Sequence, residues 1–327
     1  MKPLILDPEL FEDDPELDEG KIPDGLESYN FETEVDEIAP TENLEWTEDE
    51  LQYSIIVSPT SPGDDRFRIP ARSKKPSTLL FPFSTICLLE RHSPTGRISR
   101  VTGTLIAPQV VLTARHCLTT PTGGKRFSKI VVSPGADLSA AHVQNQRPAN
   151  PTSISATHER FRVDTSLDYG VILLPKAFKR PNRFMMLQPR SDVRTATLLT
   201  IAGYPCDKPR GTMWGHSGKI PSTSVSATHL RYTIDTCPGH SGSPIWLLGN
   251  NGIRLLLGIH TSGPAGCDND PKGTRCLPTG ASATPVPGLN SGVRVTCVVI
   301  NNILQWCKEL GVRGPVIDRS VYQRRCK

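Results

Sequence analysis

The sequence predicts an all-β fold of antiparallel strands with one helix close to the C-terminus. Three observations point there. The chain holds 30 Pro and 26 Gly among 327 residues, and so many chain-reversing residues favour a turn-rich sheet protein over a helical bundle. Short β-type runs follow one another from residue 54 onward, each closed by Gly, Pro, Ser or Asn, as in a sandwich or barrel. Convincing helical periodicity occurs at a single place, near the end.

Residues 1–53 come first and fit neither pattern. They carry 19 Asp/Glu against 2 Lys, a net charge of −17, with Pro3, Pro8, Pro15, Pro23 and Pro40 among them. Charges of one sign at this density repel, so the isolated segment is expected to be disordered. It reads either as a solubilising tail or as a removable pro-segment. The remaining residues carry +21. Their Lys and Arg are scattered, without a reader motif or interleaved aromatics, so no nucleic-acid partner is expected. No run reaches the ~18 apolar residues of a spanning helix, so no membrane partner is expected.

Strands are expected over Leu79–Leu89, Ile98–Ile106, Val110–Ala114, Lys129–Ser133, Tyr169–Leu174, Thr197–Ala202, Leu230–Ile234, Ser243–Leu248, Leu255–Thr261 and Ser291–Val295. The helix is expected over about residues 298–310. Val299, Ile303, Trp306 and Leu310 recur at helical spacing, Lys308 stands in the last turn and Gly311 follows. Nine cysteines imply two to four disulfides in an oxidising compartment, with at least one thiol left over. Residues 1–20 nonetheless contain no apolar core of signal-peptide length. A missing start, unconventional export and a cytoplasmic protein with reduced thiols all fit. No Cys-x-x-Cys pair and no His-Glu-x-x-His run is present, so no metal or other cofactor is expected.

Three local clusters carry chemistry. Leu112-Thr-Ala-Arg-His116-Cys117 closes an apolar run, Asp168-Tyr-Gly-Val-Ile-Leu-Leu174 opens one, and Pro238-Gly239-His240-Ser241-Gly242-Ser243-Pro244 turns into another. A Ser hydroxyl is a poor nucleophile at neutral pH. It needs a base within hydrogen-bond reach, and the base needs an orienting carboxylate. His116, Asp168 and Ser241 supply those three types at strand edges, with Asp164 as the fallback acid. The backbone N–H groups of Gly239 and Ser241 can converge on one developing oxyanion.

These clusters resemble the chymotrypsin-like serine proteases, in the chain order His, Asp, Ser. Within that group the sequence is most similar to the glutamyl endopeptidases, through Gly203-Tyr204-Pro205, Asp207-Lys208-Pro209, Thr212-Met213-Trp214, Gly218-Lys219-Ile220, Asp235-Thr236, Ser241-Gly-Ser-Pro244 and Gly258-Ile259-His260. The likeness runs from about residue 54 to 312. It implies two antiparallel six-stranded β-barrels, 54–190 with His116 and Asp168, and 191–327 with Ser241, a specificity pocket and the helix. It also implies an extracellular monomeric endopeptidase acting on proteins or peptides. The enzyme would be made as a precursor whose acidic segment restrains it.

For specificity, the resemblance places Thr236 and His260 on the pocket that binds a substrate Glu. Asp235 stands where Arg/Lys-specific relatives carry their pocket-floor acid, so that preference remains the alternative. Position 240 is His where trypsin-type enzymes have an Asp that captures the new N-terminus, so that activation switch is not expected. The family's cysteine positions imply Cys237–Cys267. They also imply a bridge at Cys117, whose usual partner position is Val101, leaving Cys87 as the substitute. Cys206, Cys276, Cys297, Cys307 and Cys326 stay unassigned. An α/β-hydrolase is rejected by counting: position 243 is Ser rather than Gly, and His260 is the only His after Ser241. A non-catalytic protease-like binding protein would have lost one of the three residues, and all three are present.

Overall fold

Apolar runs without polar alternation become strands buried on both faces. The computed structural model describes residues 66–71, 76–119, 127–139, 153–189, 198–219, 225–249, 253–263 and 290–326. The acidic segment 1–53 lies outside the described residues, with everything expected of it. The strands are β1 (Phe67–Ile69), β2 (Ile86–His92), β3 (Ile98–Ala107), β4 (Val110–Thr113), β5 (Lys129–Pro134), β6 (Ile154–Ala156), β7 (Phe161–Val163), β8 (Gly170–Leu173), β9 (Met186–Leu187), β10 (Leu198–Gly203), β11 (Met213–Lys219), β12 (His229–Tyr232), β13 (Pro244–Leu248), β14 (Arg254–Ser262) and β15 (Asn290–Arg294). The first sheet runs β6-β5-β2-β3-β4-β8-β7. The second runs β1-β11-β10-β13-β14-β15-β12, with β9 alongside β14. Among these described strands every pairing is antiparallel except β9 with β14.

The expected fold class holds: mostly β, two antiparallel sheets and a C-terminal helix. Among the described residues the two sheets hold seven and eight strands, where six and six were expected. Strands β10 to β15 supply six of the second sheet's strands, and β1 and β9 join from earlier in the chain. Among the described residues the end strands of neither sheet pair with each other.

Period-two geometry sorts the side chains into three cores. On β2, Ile86 and Leu88 face the core between the sheets, whereas Cys87 and Leu89 face the core within the first sheet. Strands β4 and β8 divide the same way, Leu112 and Leu173 against Val111 and Ile172. On the second sheet, Leu199, Ile245 and Leu257 fill its own core while Trp246 and Leu256 face the shared one. Each such buried side chain contributes ~1.5–3 kcal/mol.

Helix α1 (Cys297–Glu309) closes the shared core with Val299, Ile300, Ile303 and Leu304. Thr296 caps it by accepting from Val299 N. Gly311 ends it at φ +62°, a left-handed conformation suited to glycine, and Val312 N donates to Cys307 O at 2.9 Å. A second helix, α2 (Arg319–Arg325), is tied to α1 by the Cys297–Cys326 disulfide.

Candidate active site

The chain leaves β4 through Ala114 and makes a 3-10 turn over Arg115–Cys117 that projects His116. Asp168 stands just before β8, the neighbour of β4. Its Oδ2 lies 2.7 Å from His116 Nδ1, and its Oδ1 accepts the His116 backbone N–H at 3.0 Å. The carboxylate therefore holds both the ring and the backbone of one residue. Burial works to raise Asp168, but the His116 hydrogen bond and charge overcome it and hold the carboxyl below its usual range. His116 is raised, first by the Cys117 thiol beside it and then, against burial, by the bond to Asp168. Asp164, the fallback acid, is occupied elsewhere: it accepts from Ser166 N, Leu167 N and the Tyr169 hydroxyl.

Ser241 arrives from the second sheet, three residues before β13. Its carbonyl accepts from Thr102 N at 3.1 Å and from the Cys117 thiol at 3.7 Å, which sets the serine against the residue that follows His116. Gly239, at φ +100°, has no room for a side chain: a Cβ there would stand 2.5 Å from Tyr204 O. Among the described residues, neither Gly239 N nor Ser241 N donates to a protein group. Two such donors flanking one residue of a turn are the kind of group that can receive an anion. Thr102 on β3, missed by sequence reasoning, ties this turn to the first sheet. Its hydroxyl donates to Gly239 O at 2.8 Å and accepts from Tyr204 N at 2.9 Å.

Beside the serine is a cavity lined by Thr236, Cys237, Pro238, Ser241, His260, Ser262 and Gly263. Both pocket residues singled out in the sequence, Thr236 and His260, are there, each 3% exposed. Asp235 is not on that lining. Its N–H donates to His216 Nδ1 at 2.9 Å, and its carboxylate lies 3.8 Å from the same nitrogen. Burial, then the neighbouring His240 and His116, push His260 down to about 3, so its imidazole is neutral.

The Trypsin family model matches residues 91–274, more than half of the chain. The chain belongs to the trypsin family. It is a serine endopeptidase. The glutamyl endopeptidase of Bacillus licheniformis is 30% identical over 252 residues, 75% of this chain and 67% of that protein. An extracellular metalloprotease of Bacillus subtilis is 30% identical over 263 residues, covering 79% and 72%. Among solved structures, a Glu endopeptidase in complex with MPD aligns with a TM-score of 0.54 at 23% identity, over 74% of this chain and 96% of that one. At that identity the likeness concerns the fold alone. Among the described residues of the protease, no group of three or more His, Cys, Asp or Glu could hold a metal ion.

The cysteine expectations need correction. Cys87 and Cys117 are both buried thiols. Val101, the usual partner position, pairs with Leu89, whereas Cys87 pairs with Gly103. That sets Cys87 two residues, ~7 Å, along the strand from the rung of Val101. Cys237 is buried, and Cys267, its expected partner, lies outside the described residues. Cys206, whose N–H donates to Pro238 O beside it, is itself disulfide-bonded. Cys267 and Cys276 lie outside the described residues. Cys297 and Cys326 bridge across 29 positions. Cys307 is a thiol in the shared core.

Two further residues escaped the sequence reading. The Tyr232 hydroxyl lies 2.6 Å from His260 Nδ1, and Asn290 Oδ1 accepts from Thr236 Oγ1 at 2.5 Å. Neither stands in a recognisable motif; only their cross-strand pairing on β12 and β15 reveals them.

Proposed function

We propose that the protease cleaves peptide bonds after Glu through an acyl-enzyme on Ser241. His116 takes the Ser241 proton as Oγ attacks the scissile carbonyl. Asp168 Oδ2 holds the Nδ1–H, which leaves Nε2 as the base and stabilises the imidazolium that forms. The oxyanion is received by the N–H groups of Gly239 and Ser241. The imidazolium then returns its proton to the leaving amine. A water activated by the same ring clears the ester.

The observation that carries the specificity is His260 on the wall of the cavity beside Ser241, with Thr236 opposite and Asp235 turned to His216. An imidazole gives a substrate carboxylate a hydrogen-bond donor. Among the described residues, a pocket-floor acid, the feature an Arg/Lys preference needs, is not on the lining. The relatives named glutamyl endopeptidase point the same way, and the relative named extracellular supports an extracellular location. The reading includes a monomer and an acidic segment that restrains the basic body until it is removed.

A fluorophosphonate probe should label Ser241 in the wild-type protein and not in His116→Ala. A peptide library should be cut predominantly after Glu. Labelling that survives loss of His116 would remove the catalytic assignment, and cuts after Arg or Lys would remove the specificity.

A further inference from the structure

His260 is the most constrained titratable group in the pocket. Its backbone N–H donates to Ser243 O and its carbonyl accepts from Gly242 N, both bonds in the turn that carries the nucleophile. Its Nδ1 faces the Tyr232 hydroxyl at 2.6 Å. Among the described residues its Nε2 has no protein partner, although the residue is 3% exposed and lines the cavity. A buried ring nitrogen aimed into a cavity is available to whatever enters.

Which nitrogen bears the proton follows from Tyr232. Burial holds its phenol well above the ordinary value, so the O–H is retained. Nδ1 is the only partner of that hydroxyl among the described residues. A buried O–H without an acceptor is costly, so the phenol donates to Nδ1. The neutral imidazole must then carry its own proton on Nε2, pointing into the cavity. If the phenol were absent, the ring could place its proton on either nitrogen. One of its two neutral tautomers would then turn a lone pair toward an incoming carboxylate.

Tyr232 has a companion. It pairs directly with Asn290 across β12 and β15. Asn290 Nδ2 donates to Ile234 O at 2.7 Å, which fixes the amide and leaves Oδ1 to accept from Thr236 Oγ1. One rung of the ladder thus orients the polar groups on both walls of the pocket.

We propose that Tyr232 is a positioning residue for specificity, which locks His260 in the tautomer that donates from Nε2 to the substrate's side-chain carboxylate, with Asn290 setting the Thr236 hydroxyl from the same rung. This deepens the Glu-specific reading and rests on it.

The test is Tyr232→Phe, which keeps the ring and removes the hydroxyl. The kcat/KM for a Glu peptide falls about tenfold to a hundredfold, the range of a hydrogen bond to a charged group. The loss lies mainly in KM, and a matched Gln peptide changes far less. Probe labelling of Ser241 keeps its wild-type rate, which also certifies the fold. Nitrogen-15 spectra report a single His260 tautomer, protonated at Nε2, in the wild type and a mixture in the variant. Equal losses for Glu and Gln peptides, or an unchanged ratio, overturn the proposal. So does a wild-type His260 protonated at Nδ1, a readout that needs no substrate and no working variant. A wild-type enzyme without preference for Glu fails the specificity reading instead, and the spectrum still judges the tautomer.

Discussion

His116 is pulled upward by two neighbours of different kinds. The Cys117 sulfur lies beside it, and Asp168 bonds its Nδ1 at 2.7 Å. A general base works only when unprotonated. Turnover should therefore rise as pH climbs through a value above the ordinary ~6.5 of histidine. Asp168→Asn removes the bonded carboxylate and should move this acidic limb of the residual kcat/KM profile to lower pH. An unmoved limb would show that the carboxylate has no hold on the base. The triad types were legible because each sits inside a short local motif. Tyr232, Asn290 and Thr102 were not, because they act on residues 28, 54 and 137 positions away. Such partnerships exist only after the strands have paired. The Cys87–Cys117 bridge failed for the same reason: spacing does not say which strand rung a thiol occupies.

At the scale of elements, the turn between Gly239 and Pro244 depends on glycine twice. Gly242 adopts φ +88°, and a Cβ there would stand 2.1 Å from Thr102 O and 2.1 Å from Thr113 Oγ1. Neither contact is the end of a flexible chain that could step aside, and positive φ already strains a side-chain-bearing residue. Gly242→Ala should displace the nucleophile and lower the Ser241 labelling rate at least about tenfold, the cost of even a small misplacement. A wild-type labelling rate would mean that the turn is softer than its contacts imply. The expected strands that matched, such as β3 and β5, are bounded by turn residues. Strand β11 was missed because Met213–Lys219 is broken by Gly215 and Gly218, and it forms through its register with β10. Strand β2 starts at Ile86 rather than Leu79 because residues around Pro82 turn into a short 3-10 segment over Phe83–Thr85. Three-residue strands such as β1 are too short to show a period of two.

For the whole molecule, the division of charge is the widest-ranging feature: −17 over residues 1–53 against +21 over the rest. Opposite charges on this scale attract, and the attraction is screened by salt, with a Debye length of ~10 Å at 0.1 M. Separately prepared residues 1–53 should inhibit the endopeptidase at low ionic strength and release it as salt is added. Absence of inhibition would leave the segment as a solubilising tail. The sheets themselves are bound through a shared core in which Leu112 and Leu173 of one meet Trp246 and Leu256 of the other, under the cover of α1. Across that seam Thr102 reaches from the first sheet to both ends of the nucleophile turn, at Gly239 and Ser241. One threonine thus serves as a latch between the molecule's halves. Prising the two sheets apart would strip Thr102 from the loop that seats the reactive alcohol.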